Sequence, residues 1–178
     1  MTSIKRVNYF FGQLLSAADF QVEQDYQRER RRLHNRLLHG VGVVSGLAVS
    51  TGKGNAAGGV AVTPGCAIDP SGELITLCEP TRLQIQSTAP VVRVCLRYTE
   101  RPADDAPVVT INPDSGPQPT RIVEGSELVL VDEAAGVETK LRRAVAENSM
   151  DVVLAKVVRT RSGWRVDRKF KVAQASRP

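Results

Sequence analysis

The sequence predicts a mainly β protein: an antiparallel β-sandwich or barrel carrying one long N-terminal α-helix. Three observations predict it. One stretch near the N-terminus has the charge order and the punctuation of a helix. The remainder breaks into short Val-, Ile- and Leu-rich runs bounded by Gly, Pro, Asp and Ser, which is the pattern of short strands joined by turns. Finally, 178 residues that are 42% hydrophobic but only 4% aromatic suffice for one core, packed from aliphatic side chains.

The helix lies within residues 14–47. Ser16 stands where an N-cap belongs, and Asp19, three residues on, supplies the acidic partner of a capping box. Asp19, Glu23, Asp25 and Glu29 load the first half, while Arg28, Arg30, Arg31, Arg32 and Arg36 load the second. That is the direction the helix dipole favours. Gly40, after Leu37-Leu38-His39, is the expected left-handed stop. Phe20, Val22, Tyr26, Leu33 and Leu37 recur at spacings close to a heptad, but residues 27–32 are wholly polar. So thin a stripe cannot be the centre of a monomeric core. The helix either lies across an edge of its own sheet or packs against copies of itself, and the residues leave both open.

Ahead of the helix, Val7-Asn8-Tyr9-Phe10-Phe11 is an apolar run ended by Gly12. It reads as an edge strand or as an extended arm docked on the domain or on a neighbour. Behind the helix, residues 41–49 form a glycine-interrupted strand whose small residues imply a bend or a close backbone approach beneath the helix. Residues 51–59 are a glycine-rich loop tip, and residues 60–65 enter the next strand. A hairpin turns about Pro70-Ser71-Gly72, between Ala67-Ile68 and residues 74–77. Residues 83–86 alternate as a half-buried strand does. Residues 91–98 make the strongest strand, an apolar run interrupted by Arg93 and Arg97.

From residue 100 to 119 the composition shifts to Pro, Asp, Thr and Ser. This predicts a long loop excursion with one short strand at 108–111, a length at which loops tend to bind something. Strand pattern resumes at 121–124 and 127–131, around Gly125. Residues 133–148 fit a short helix ending at Ala146, or an ordered loop. A core strand at 151–158 and a last hairpin at 163–167, connected through 159–162, complete roughly eight to ten strands. Two segments result, with no internal repeat: an arm and helix for docking and oligomerisation over 1–40, and a β-rich domain over 41–178.

Chemistry is harder to find. The net charge of +5 is concentrated in the arginines of the helix and in the tail Arg159, Arg161, Arg165, Arg168, Lys169 and Lys171. Nucleic-acid binding calls for aromatic stacking platforms or a framed reading helix. Neither is present, so we expect solvated or interface charge and no nucleic acid. His34 and His39 stand five residues apart, so on a regular helix they project from different faces, and no HExxH surrounds them. Gly40, Gly42 and Gly46 close a helix and open a strand, the reverse of a dinucleotide fingerprint. Gly52-Lys53-Gly54 lacks the spacing of a Walker loop, and Ser45 lacks the first glycine of a nucleophile elbow.

The remaining acids and thiols read as structural. Asp69, Glu73 and Glu79 surround a turn whose own chemistry accounts for them. Glu124 and Glu127 read as a solvated face rather than paired carboxylates. Cys66, Cys78 and Cys95, an odd number without a CxxC, read as reduced, buried small hydrophobes. We therefore expect no catalytic residue, no metal ligand and no cofactor, and a protein that is not an enzyme. No run approaches the ~18 apolar residues of a membrane span, and MTSIKRVNYFF lacks a signal-peptide core. This predicts no direct membrane insertion and a cytosolic protein, unless an assembled particle carries it out.

Three blocks carry a family likeness. The first runs from Tyr9-Phe10-Phe11-Gly12-Gln13-Leu14-Leu15-Ser16-Ala17-Ala18-Asp19-Phe20 to residues 33–47; the second is Val62-Thr63-Pro64-Gly65-Cys66-Ala67-Ile68-Asp69; the third joins residues 95–102 to 119–125. Together they resemble a family of proteins found beside phage-tail-like genes, notably those of contractile injection systems. The GQLLSAADF segment is also similar to the N-terminal attachment segments of phage tail fibres and baseplate proteins. The resemblance implies a non-enzymatic structural component of a baseplate, fibre or cap, built into a trimer or hexamer beside other subunits of a tail-like assembly. The residues expected at the protein interface are Tyr9, Phe10, Phe11, Phe20, Tyr26, Arg30, Leu33 and His34, with packing onto the chain's own sheet as the alternative for each. The competing function is a receptor- or glycan-binding β module at a tail tip. Such a module needs an exposed aromatic platform, and Trp164, the single tryptophan, falls in a core hairpin. A cell-wall hydrolase using Glu124 and Glu127 is the third reading.

Overall fold

The capping residues open the structure as their spacing predicts. In the computed structural model, which describes residues 5–52, 58–107, 118–133 and 150–176, Ser16 caps α1 (Ala17–His34). Its hydroxyl oxygen accepts from the Asp19 N–H at 3.4 Å, and the Asp19 carboxylate accepts from the Ser16 N–H at 2.8 Å. Hydrogen bonds from Ser16 also hold the Asp19 carboxyl below its ordinary pKa. After His34 the coil widens into a π-turn, Asn35–His39, closed by the Gly40 N–H donating to the Asn35 carbonyl at 3.0 Å. Gly40 then takes φ 76° and ψ −167°, a positive-φ stop that glycine permits, though not the left-handed helical cap expected of it.

Ten strands follow among the described residues: β1 (Gly42–Gly46), β2 (Val49–Thr51), β3 (Gly59–Val62), β4 (Gly65–Ile68), β5 (Leu74–Leu77), β6 (Thr81–Gln84), β7 (Val91–Ala106), β8 (Gln118–Asp132), β9 (Val152–Thr160) and β10 (Gly163–Val166). They pair antiparallel in three sheets, ordered β1-β4-β5, β2-β3-β6 and β10-β9-β7-β8. The protein is mainly β with one N-terminal helix, the fold class the sequence predicts. The glycine-interrupted run divides into β1 and β2 at Leu47, which is buried. A Cβ at Gly42 would lie 2.3 Å from the Ala173 carbonyl oxygen, so the backbone passing close by is the C-terminal segment, not the helix. That segment is held there by Val43 N–H to Ala173 O at 2.8 Å and Ala175 N–H to Val43 O at 3.1 Å.

One core joins the sheets. Val60 and Val62 of β3, Ile75 of β5, Val92, Val94 and Leu96 of β7 and Val157 of β9 are its largest fully buried side chains. Burying each is worth about 1.5–3 kcal/mol, so a few aliphatic positions carry most of the stability in so aromatic-poor a chain. Trp164 packs against this core from β10. Cys95 sits inside it, and burial, with the nearby Asp151 charge second, pushes its thiol up to about 11. Cys66 is half-buried. Cys78 is exposed, contrary to expectation, because it follows the last residue of β5 and leaves the sheet.

The main departure from the sequence reading lies between residues 100 and 119. Instead of a loop excursion, β7 runs on to Ala106 and β8 returns from Gln118. The two pair from Val92↔Asp132 out to Ala106↔Gln118. β9 accompanies β7 only from Val91 to Leu96, so beyond that point the pair is a two-stranded ribbon projecting from its sheet. Apart from Tyr98, which packs against the core, most of the ribbon's side chains on both faces are exposed, and its sequence loses the apolar alternation by which a half-buried strand is recognised. Pro102 and Pro119, opposite Ile122 and Asp105, are tolerated because the outer edges need no donor. The expected strand at 108–111, the tip of the 51–59 loop and the expected helix within 133–148 lie outside the described residues.

At the opposite end of the β7–β8 pair from the ribbon, the largely buried Glu133 carboxylate accepts from Lys156 Nζ at 3.4 Å and Arg93 Nε at 3.5 Å. Burial works against its charge, but these bonds and charges outweigh it, and its pKa falls below the ordinary 4.5. A carboxyl depressed in the folded state stabilises the fold fully above its unfolded pKa, and loses that contribution as pH falls through the folded value. Glu133→Gln is therefore expected to cost about 0.5–1 kcal/mol at pH 7, a surface-bridge magnitude because both cations remain partly wet. The difference from the parent should vanish as the pH falls below 4.5, measured by urea unfolding across that range.

Candidate functional site

The turn between β4 and β5 is built by its own side chains. Asp69 is buried, and its Oδ1 accepts from the backbone N–H groups of Ser71, Gly72 and Glu73 at 2.8–2.9 Å and from Ser71 Oγ at 2.6 Å. This is the turn chemistry expected of it. Glu73, only 3% exposed, does something else. Its Oε1 accepts from Arg32 Nε at 2.8 Å and Arg28 Nε at 3.1 Å, and Arg31 Nη2 stands 3.8 Å from Oε2. A buried carboxylate is tolerated only when so satisfied, and every one of these cations comes from α1.

The rest of the contact is backbone. Asn35 Nδ2 donates to the Gly72 carbonyl at 2.8 Å. Gly72 has φ 96°, and a Cβ there would lie 2.3 Å from the Arg32 carbonyl oxygen, so the helix rests directly on the turn. Arg28 reaches on to Glu100 of β7, and Arg32 Nη1 pairs with Glu29 at 2.8 Å. Burial works against the Arg32 charge, but hydrogen bonds to Glu29 and Glu73 outweigh it and raise its pKa.

The consequence for the helix is an inversion. α1 buries no residue. At 100° per residue, Arg28, Arg32 and Asn35 share the side that meets the turn, and Val22, Tyr26, Leu33 and Leu37 form a stripe about 140° away. Tyr26 and Leu33 are half-buried but lie outside the core packing, and Leu37 is 73% exposed. Phe20, 55% exposed, leaves the stripe because it precedes Val22 by two positions, about 200° around the coil.

The other expected interface residues are also at the surface. Tyr9, Phe10 and Phe11 are 53%, 65% and 105% exposed. They form no edge strand: Phe10 and Gln13 close a small local turn instead, Gln13 N–H to Phe10 O at 3.2 Å. Arg30 and His34 are exposed on the helix. His34 and His39 do not diverge; their ring centroids are 5.5 Å apart. The π-turn causes this, since a wider coil makes residues five apart near neighbours. No group of three metal-ligating side chains occurs among the described residues.

The paired-carboxylate reading has no geometry behind it. Glu124 and Glu127 stand three apart on β8, and alternation sends them to opposite faces. Glu124 looks into a cleft of about 440 Å³ between α1 and the ribbon, beside Glu100, Arg28 and Gln24. There the Tyr98 hydroxyl donates to Glu100 Oε1 at 2.9 Å, and burial, then the Glu124 charge, raises its pKa. Sequence reasoning missed Glu73 as an anchor, since its partners lie 41 and 45 positions away. The available signal was faint: the Arg28/Arg32 couple has no acid four positions away on its own helix, only Asp25 and Glu29 at a spacing of three.

No protein-family profile matches this chain, and no curated protein matches it in sequence. Solved structures do. The fold is similar to a chain of the TssK–TssF–TssG baseplate subcomplex of the type VI secretion system, determined by cryo-electron microscopy, at 16% identity and a TM-score of 0.54. That match covers 96% of this chain and 62% of the other. It is also similar to the crystal structure of TssK, at 15% identity and a TM-score of 0.52, covering 93% of this chain and 41% of that one. The chain thus spans less than two thirds of either neighbour. The likeness is one of fold, and these neighbours are baseplate proteins.

Removing the anchor should release the helix without melting the sheets. Glu73→Gln keeps the shape of the side chain and deletes its charge. It is expected to raise amide exchange across Ala17–His34 at least tenfold while unfolding of the core strands shifts by only about 1–2 kcal/mol, read residue by residue by hydrogen exchange. Equal protection in α1 of both proteins would show that the helix is held some other way.

Proposed function

We propose that this chain is a non-enzymatic structural subunit of a phage-tail-like contractile injection system, of baseplate type, and that it meets neighbouring subunits through its N-terminal arm and the outward face of α1. The observation that carries the reading is the inverted helix. Its polar face is spent on the chain's own turn, so its apolar stripe and the aromatic arm before it are left for something else. Monomeric proteins rarely leave such a surface open without a use for it. Each ring of Tyr9, Phe10 and Phe11 that a neighbour covers gains about 1.5–3 kcal/mol. The fold likeness to baseplate proteins supports the same reading.

Under this proposal the contact residues are Tyr9, Phe10, Phe11, Phe20, Tyr26, Arg30, Leu33 and His34. The sheets are the rigid body they position, and the copies number three or six. The protein acts in the cytosol as part of the assembled particle. No described helix is long and apolar enough to cross a membrane.

The test is incorporation. The double variant Phe10→Ser, Phe11→Ser changes only exposed residues and is expected to keep the parent's thermal unfolding within about 0.5 kcal/mol. It should reduce recovery of the chain with sedimented particles at least tenfold. A parent protein that stays monomeric and never sediments with tail-like particles would sink the proposal.

A further inference from the structure

The chain's whole net charge sits in one stretch of thirteen residues. Between 159 and 171, Arg159, Arg161, Arg165, Arg168, Lys169 and Lys171 stand against a single acid, Asp167. That is a net of +5, equal to the net charge of the full chain, so the other 165 residues sum to zero. All six cations are exposed. None pairs with a carboxylate among the described residues, whereas Arg93, Arg97 and Lys156 of the adjoining strands each hold one. Asp167 serves its own backbone: its Oδ1 accepts from the Lys169 N–H at 2.9 Å and its carbonyl from the Phe170 N–H at 3.2 Å. The Asp167 N–H donates to the Lys156 carbonyl at 2.8 Å, which ties the turn to β9.

Two elements bring the cations together. Trp164 and Val166 of β10 pack against the core, so alternation turns Arg165 to the outer face of the sheet. The Asp167 turn sets Arg168 and Lys169 beside it, and with Val158 and Thr160 of β9 these three line a cleft of about 270 Å³. β10 is the edge of its sheet opposite β8, the strand that lines the α1 cleft.

We propose that this basic hairpin is a second docking surface, apart from the arm and the helix, and that it takes an acidic segment of another protein, whose Asp and Glu carboxylates enter the cleft at Arg165, Arg168 and Lys169. Charge complementarity selects the sign of the partner: an unneutralised +5 on one edge attracts a polyanion and repels its own copies. The surroundings select its class. Single-stranded nucleic acid needs exposed rings to stack on, but Trp164 packs on the core and Phe170 lines an apolar pocket with Val43 and Leu154. A duplex lays its phosphates in rows along a rod, whereas these three cations converge on one concave site. Stable membrane attachment needs a second, apolar signal beside a polybasic one, and every exposed residue from 159 to 171 is polar. A carboxylate meets none of these obstacles, and a guanidinium presents the fork that matches it. The same outer face already holds one, Glu133 between Arg93 and Lys156.

The test uses the full chain and a fluorescently labelled oligoglutamate peptide, read by anisotropy. The parent is expected to bind it at low ionic strength, and salt should weaken binding at least tenfold because exposed charges are screened. Arg165→Glu with Arg168→Glu, its circular dichroism like the parent's, should also weaken it at least tenfold. Arg82→Glu with Arg121→Glu makes the same charge change on exposed residues elsewhere and should stay within threefold of the parent. No binding by the parent at low ionic strength overturns the proposal. Equal loss in the two double variants also overturns it, since net charge and not the cleft would then be responsible. Duplex DNA and phosphatidylglycerol vesicles are run beside the peptide at physiological ionic strength, and tighter binding of either overturns the assignment to a protein. Peptide binding by a chain that never joins particles leaves this surface standing and removes the subunit reading. Particle joining without peptide binding removes this surface alone.

Discussion

A buried carboxylate has to be satisfied, and in this protein that requirement orients everything N-terminal to the sheets. Glu73 stands at the end of a tight hairpin turn, out of water, where an unpaired charge is not sustainable. Its cations among the described residues all come from α1, where Arg28 and Arg32 stand one turn apart on one face. Once those two are committed, the rotation of the helix about its axis is set. The polar side must face inward and the apolar side outward. Gly72, with no side chain, lets the two backbones close to contact and converts an ion pair into a seated joint.

That joint explains a combination that would otherwise be contradictory: a well-formed helix that buries nothing. Capping by Ser16 and Asp19, the charge order along the dipole and the π-turn ending at Gly40 stabilise the coil locally. None of them needs the apolar stripe. In most surface helices the stripe supplies the tertiary attachment; here the arginines do, and the stripe is free to act between molecules. The ribbon of β7 and β8 contributes from the other side, where Glu100 takes the second hand of Arg28. Helix, turn and ribbon are tied at one residue.

The sheets give this arrangement its stiffness. Val92, Val94 and Leu96 are wholly buried in β7, and the same strand continues outward as half of the ribbon. A load on the ribbon or the helix is therefore carried straight into the core. Under the proposed role, that continuity is what would keep neighbouring subunits in position.

Much of this was legible in the chain itself. The helix limits, its cap and its stop, the hairpin about Ser71 and the strands through Val94 and Leu154 are written in local chemistry, where neighbours in sequence are also neighbours in space. The apolar arm and the thin stripe were legible too, as surfaces that could pack either on the chain's own sheet or on a neighbour. What the sequence could not express was rotation and pairing. That Glu73 anchors a helix more than forty positions back, that a polar stretch after Thr99 is ribbon rather than loop, and that His34 and His39 sit together all depend on contacts or coil geometry that no local pattern encodes. Local propensity determined which elements exist; a single desolvated charge, and the partners it could reach, decided which way the helix faces.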